Sequence, residues 1–187
     1  MIEISFDENL IEKSKKAERI YYDSKNKGYH DKFLDGKEIQ ANRIGKLGEL
    51  SFKIFLDEYD FYYEYDESLT DLDEKDFVLM RKNGEKANID VKTQLNDYYP
   101  QEWWNCEVNE KQRNKLMDYY VFIKLSENKK KAFIVGFIDY STFWEIAKIN
   151  HQGNVMHGGE KVKGTKFDVK ISNLIDASEL INRFKKR

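Results

Sequence analysis

Two short segments rich in apolar and β-branched residues, Phe77 to Met80 and Asn88 to Thr93, flank a connection from Arg81 to Lys86 that contains Asn83-Gly84. Asparagine followed by glycine tolerates the left-handed backbone of a tight reversal, so the segments are expected to pair as an antiparallel hairpin. That expectation constrains the rest of the chain. Side chains alternate along a strand, so Asp90 and Lys92 of Ile89-Asp90-Val91-Lys92 point to one side, and the backbone carbonyl of Val91 lies between them. Folding back at Asn83-Gly84 also brings Asp76, which begins the first segment, near Asp90. Two adjacent carboxylates repel unless a cation lies between them.

Upstream, a helix is expected from about Ala41 to Tyr59, because Ile44, Leu47, Leu50, Ile54 and Phe55 recur every three or four residues without an intervening proline. Glu49 shares a face of this helix with Gly45, Phe52 and Leu56, an apolar setting for an acid. An earlier amphipathic helix spans about Asp7 to Tyr22, with Leu10, Ile11, Ser14, Ala17 and Tyr21 at near-helical spacing and Asp7 as its cap. Gly28 and Gly36 mark the polar connection between the two helices. Downstream, the pattern reads as a strand at Cys106 to Val108, a short basic helix from Glu110 to Asp118, and strands at Tyr119 to Leu125 and Ala132 to Ile138. A turn at Ser126 to Lys131 joins the last two. With the hairpin, these strands are expected to form a central mixed sheet. A helix at Ser141 to Ile149, a strand at Lys166 to Ile171 and a helix at Ala177 to Phe184 complete an α/β fold, a mixed β-sheet flanked by helices.

No repeat, low-complexity tract or Pro- or Gly-rich linker divides the 187 residues, so one domain is expected. It reads as an N-terminal helix and connection (1–40), a central core (41–140) and C-terminal α/β elements (141–187). The single cysteine, Cys106, excludes an internal disulfide framework and a cysteine-based zinc cluster. No apolar run reaches membrane-spanning length and MIEISFDENL lacks the features of a secretory signal, so a cytoplasmic protein without a membrane partner is expected. The formal charge of −2 hides a strong asymmetry. Residues 57–76 are overwhelmingly acidic, whereas Lys111, Arg113 and Lys115, then Lys129 to Lys131, then Lys161, Lys163 and Lys166, and finally Arg183 to Arg187 form basic clusters. Such clusters follow a phosphate backbone only if they converge in space.

Cutting a phosphodiester needs a Lewis acid to offset charge on the phosphorane oxygens and a group to position water. Two carboxylates, a backbone carbonyl and retained waters suit Mg²⁺, and a lysine beside them can orient the water. A helix bearing glutamate in Gly45-Lys46-Leu47-Gly48-Glu49-Leu50, followed by Asp76 and then by Asp90-Val91-Lys92, resembles the PD-(D/E)XK, or restriction-endonuclease-like, nuclease superfamily over residues 41–94. The resemblance implies a Mg²⁺-dependent endonuclease acting on DNA, with Mn²⁺ able to replace Mg²⁺ and a 5′-phosphate product. It assigns metal binding to Asp76, Asp90 and the Val91 carbonyl, water activation to Lys92, and completion of the metal site or water orientation to Glu49. Gln94 falls where related enzymes sometimes carry a further polar site residue. Many members cut both strands as dimers, so a homodimer is one implied mode, although no dimer seam is evident. The chain departs from the pattern in having no proline before Asp76 and aspartate where glutamate is commoner at the third-strand position.

Other features compete. Asp71 and Asp73 are alternatives to Asp76 as first metal ligand, and Asp168-Val169-Lys170 repeats the acid-x-lysine triplet on another expected strand without a matching hairpin or helix. Exposed Trp103 or Trp104 could stack on unpaired bases, although burial of at least one is the simpler expectation. His30, His151 and His157 lack metal-site spacing, and Gly158-Gly159 does not open a helix as a phosphate-cradling loop does. The rival functions are an inactive nucleic-acid or protein-binding module on the same scaffold, in which the acids and lysine form an ordinary ion pair, and a nuclease for junctions or RNA.

Overall fold

The structure, a computed structural model, describes residues 1–26, 36–65, 76–151, 153 and 164–187. Its centre is a six-stranded mixed sheet. In chain order the strands are β1 (Ile2–Ser5), β2 (Tyr63–Glu64), β3 (Phe77–Met80), β4 (Lys86–Leu95), β6 (Tyr119–Ser126) and β7 (Lys131–Asp139), and their order across the sheet is β1-β7-β6-β4-β3-β2. A second sheet of three strands consists of β5 (Asn105–Asn109), β9 (Lys166–Lys170) and β8 (Lys148–Asn150), in the order β5-β9-β8. The helices are α1 (Glu8–Asn26), α2 (Gly36–Glu58), α3 (Tyr140–Ile146) and α4 (Glu179–Arg183). None of the described helices is long and apolar enough to cross a membrane.

The hairpin forms as its turn residues require. Gly84 adopts φ +88°, Gly84 N–H donates to Arg81 O at 2.9 Å, and Asn83 Oδ1 accepts from Glu85 N–H at 3.0 Å. β3 and β4 pair antiparallel with Phe77 opposite Ile89. β4 then continues past β3 and pairs in parallel with β6, Asp90 opposite Tyr120, Lys92 opposite Phe122 and Gln94 opposite Lys124.

Alternation along these strands creates two cores. One face carries Ile89, Val91, Tyr119, Val121, Ile123 and Leu125 beneath Leu47, Phe52, Phe55 and Leu56 of α2. The other carries Tyr120, Phe122, Phe133 and Ile138 beneath Cys106, Val108, Phe143, Phe167 and Val169. Helices therefore cover one face of the main sheet, and the small sheet with α3 covers the other. α1 begins where Asp7 Oδ1 accepts the Leu10 N–H at 3.0 Å, and buries Ile11, Ser14 and Ala17. α2 approaches β4 without a side chain at Gly48, where an added Cβ would lie 1.8 Å from Thr93 Oγ1. Only glycine allows this helix to lie so close to that strand.

Several expected elements differ. The strand around Cys106, expected in the central sheet, pairs instead with the strand at 166–170 in a second sheet, because Cys106, Val108, Phe167 and Val169 bury their side chains against the outer face of the main one. The basic helix expected over Glu110 to Asp118 shrinks to one 3-10 turn, Glu110–Gln112. The segment lacks an apolar face: Leu116 is 83% exposed, and Met117 is its one buried hydrophobic residue. α2 starts at Gly36, ahead of Ala41, and α3 ends at Ile146, after which Lys148 to Asn150 pair with β9. The last helix is limited to Glu179–Arg183, and β1 and β2, too short to read from periodicity, add the two edges of the main sheet. Gly28, His30, Asp71, Asp73, His157, Gly158-Gly159, Lys161 and Lys163 lie outside the described residues.

Candidate active site

Asp76 precedes β3 by one residue, and extending the β3–β4 register by one step sets it opposite Asp90. Its Oδ2 accepts the Val91 N–H at 2.6 Å, and its own N–H donates to Ile89 O at 3.1 Å. β3 has not yet begun at this level, so the Asp76 carboxylate takes the place of a strand partner for Val91. A residue in a strand sends its N–H and C=O to the same side, so the Val91 carbonyl points to this same open edge.

Asp90 is 2% exposed. Its Oδ1 accepts from Lys92 Nζ at 2.6 Å, while Oδ2 is buried without a hydrogen-bond partner. A carboxylate oxygen held out of water in this way forfeits solvation that a cation or a protonated donor would restore. Lys92 Nζ also lies 5.7 Å from the ring centroid of Tyr120, whose phenol is pushed up first by burial and then by Asp90.

Glu49 reaches the same neighbourhood from α2. It accepts from Lys46 Nζ at 2.9 Å, and Lys53 on the same helix pairs with Asp57 at 2.9 Å. Burial most of all, then Glu49 and Asp90, push the Asp76 carboxyl well above the usual carboxylate range, with Lys92 and the Val91 amide pulling the other way. The acids from α2, β3 and β4 therefore share one electrostatic neighbourhood with Lys92. The same neighbourhood extends to Tyr65, whose phenol is pushed up to about 12 by burial, with Glu49 and Asp76 adding to the effect and Lys46 opposing it.

Gln94 sits further along the row formed by Asp90 and Lys92. Its Oε1 accepts from Lys124 Nζ, which also donates to Asn105 O at 2.5 Å. Lys124 is 4% exposed, and burial lowers its ammonium from the usual lysine range. Sequence reasoning missed Lys124, yet a signal was present: a lysine inside the otherwise apolar run Tyr119-Tyr120-Val121-Phe122-Ile123-Lys124-Leu125 is costly unless a partner awaits it. It missed Lys46 and Tyr65 too, and for Tyr65 no signal existed, since its place depends on stacking against Phe77 with ring centroids 4.5 Å apart.

The competing features fall elsewhere. Asp168 lies on the small sheet at 6% exposure, where it accepts from Asn105 at 3.0 Å and Asn150 at 2.5 Å. Trp103 is 65% exposed, Trp104 is half-buried, and His151 is exposed. Lys130, Lys131 and Lys166 are paired with Glu8, Glu3 and Glu107.

Among the described residues, no group of three or more His, Cys, Asp or Glu side chains is arranged as a ready metal cage. The donors present are two carboxylates, one of them with an unsatisfied oxygen, and a carbonyl. That set fits a hard, oxygen-seeking ion that keeps several waters, as Mg²⁺ does. Comparison with protein-family models, with curated proteins and with solved structures finds no match to this chain.

Proposed function

We propose that this chain is a Mg²⁺-dependent phosphodiesterase that hydrolyses DNA, built on a restriction-endonuclease-like fold in which α2, β3 and β4 bring the reactive groups together. The observation that carries the reading is the meeting of Asp76 and Asp90 across the β3–β4 register, with Asp76 Oδ2 on the Val91 N–H and Asp90 Oδ2 buried without a partner: carboxylates so placed repel, and a divalent cation relieves them. Asp76, Asp90 and the Val91 carbonyl would hold the ion, with Mn²⁺ able to replace Mg²⁺. When bound, the ion supplies the charge that offsets the negative oxygens of the phosphorane.

The chain's own groups do the rest. Lys92, fixed by its 2.6 Å contact with Asp90, presents its remaining N–H bonds to the attacking water and the phosphate. Glu49 orients water from the helix side, restrained by Lys46. With Oε1 of Gln94 engaged by Lys124, the group left facing the substrate is its NH₂, a donor suited to a phosphate oxygen.

The test is Mn²⁺ titration by calorimetry together with cleavage of supercoiled and linear DNA. The wild-type chain should bind Mn²⁺ and nick DNA only with metal present. An Asp90→Asn/Lys92→Met protein, which removes both charges at once and so leaves neither buried alone, should retain its circular dichroism spectrum and lose both properties. Retained cleavage in that protein rejects the assignment.

A second reading is favoured by the same ion pair: Asp90 and Lys92 already satisfy one another in part, as they would in a binding module without turnover. Failure of the folded wild-type chain to bind Mn²⁺ would support that alternative.

A further inference from the structure

A cleft of about 370 Å³ opens between α1 and α2, beside the acids but not among them. Leu10 of α1 and Leu50 and Ile54 of α2 line it with apolar surface. Lys13 and Lys16 of α1 and Lys46 and Lys53 of α2 add their ammonium groups, and Asp57, which Lys53 pairs with at 2.9 Å, also lines it. Helical geometry explains the concentration. Positions 10, 13 and 16 run along one side of α1, and positions 46, 50, 53, 54 and 57 step by three or four along one side of α2. Leu50 and Ile54, expected from periodicity to point into the core, also line this cleft, and Ile54 packs against the core as well.

One end of the cleft reaches the candidate active site. Lys46 bonds Glu49 at 2.9 Å and lies 5.0 Å from the Tyr65 ring centroid. That ring stacks at 11° on Phe77, the residue after Asp76. Lys46 is therefore shared by the cleft and the acids.

We propose that this cleft is the binding site for a phosphorylated end of a nucleic-acid strand, which it holds next to the acids. The proposal rests on the hydrolytic reading above for the fate of the bound strand, but not for binding itself. Its chemistry is complementary to such an end. The lysines outnumber the acid that lines the cleft and answer a dianionic phosphate, while Leu10, Leu50 and Ile54 offer apolar surface to the adjoining sugar and base. The volume lies near the lower limit of small-ligand sites, roughly 300–1,000 Å³. It suits one nucleotide. A groove that merely tracked a backbone would not need the apolar floor.

The test uses the full chain in EDTA, so that binding is read without turnover. Short single-stranded oligonucleotides carrying a 5′-phosphate, a 3′-phosphate or neither, each labelled at the opposite end, are compared by fluorescence anisotropy. One phosphorylated end should bind at least about ten-fold more tightly than the unphosphorylated strand, and Lys13→Gln/Lys16→Gln should remove most of that preference. Lys111→Gln/Arg113→Gln, far along the chain in the 3-10 turn region, should retain it. Equal binding of all three strands, or a preference that survives the Lys13/Lys16 change in a folded protein, overturns the assignment. The two readings separate cleanly. An end preference in a chain that neither binds Mn²⁺ nor cleaves supports the cleft and removes the hydrolytic reading, whereas Mn²⁺-dependent cleavage with no end preference removes the cleft alone.

Discussion

Replacing Gly48 by alanine tests how the helix bearing Glu49 is held against the strand bearing Asp90 and Lys92. In an exposed helix interior the change would gain about 1 kcal/mol of helix propensity. Here the new Cβ would lie 1.8 Å from Thr93 Oγ1 and 2.8 Å from both Thr93 Cβ and Cγ2. Rotating Thr93 moves Oγ1 and Cγ2 but not Cβ, so helix and strand must part, whereas ordinary contact begins near 3.4 Å. Overpacking of this kind costs about 1–3 kcal/mol, and the backbone shift required here sets it at the upper end, about 2–3 kcal/mol, so after the gain in propensity the net expected loss is about 1–2 kcal/mol. For a chain of this length that lowers the melting temperature by about 2–8 °C. Urea and thermal unfolding of Gly48→Ala, Thr93→Ala and the double variant measure it as a cycle. Thr93→Ala removes the two movable atoms and should recover part of the loss, leaving the 2.8 Å approach of Cβ as the remainder of the effect. Gly48→Ala as stable as the parent, or equally damaging whether Thr93 is present or not, would refute the packing argument. Because Glu49 follows Gly48 on α2, the single variant should also weaken Mn²⁺ binding.

Three further outcomes are expected. Asp76→Asn keeps an acceptor for the Val91 N–H but removes a carboxylate whose folded-state proton affinity is raised; such a group makes stability fall as pH rises above the ordinary carboxylate range. The variant should therefore be more stable than the parent near neutrality, the gap should close towards about pH 4, and Mn²⁺ should stabilise only the parent; a less stable variant at neutral pH refutes the crowding. Arg43 holds Glu127 through paired contacts of 2.6 and 2.8 Å and depresses its carboxyl. The stabilisation from this pair should be present above the ordinary glutamate range and lost as pH falls through the lowered value, with a double-mutant-cycle coupling of about 1 kcal/mol at neutral pH; zero coupling refutes it. Asp168→Ala should leave cleavage intact but cost about 1–2 kcal/mol in urea unfolding, since Asn105 and Asn150 both donate to that carboxylate; loss of cleavage in the folded variant would move the site to the small sheet.

Local physics made part of this chain legible in advance. A tight reversal at Asn83-Gly84 needs no distant partner, and neither does the alternation that sets Asp90 and Lys92 on one side of β4 or the helical spacing behind α1 and α2. Those features set out Asp76, Asp90, the Val91 carbonyl and Lys92 and put Glu49 in an apolar setting, whereas the site role of Glu49 and the choice of Gln94 came from the resemblance to the nuclease superfamily. What the neighbourhood of those residues does to them depends on groups far away along the chain. Lys124 turns Gln94 only because β6 runs parallel to β4, and Glu49 adds to the crowding of Asp76 by Asp90 only because α2 comes down on β4 at Gly48. The placement of β5 and β9 was equally out of reach. An apolar strand fits either a central sheet or a second layer upon it, and the choice fell to which buried face had room. The α1–α2 cleft shows the same limit: periodicity reads Leu50 and Ile54 as apolar positions of α2, and only the packing of α1 against α2 sets them beside Lys13 and Lys16. Periodicity fixes which side of an element is apolar, whereas the free energy of burying that side belongs to whatever packs against it.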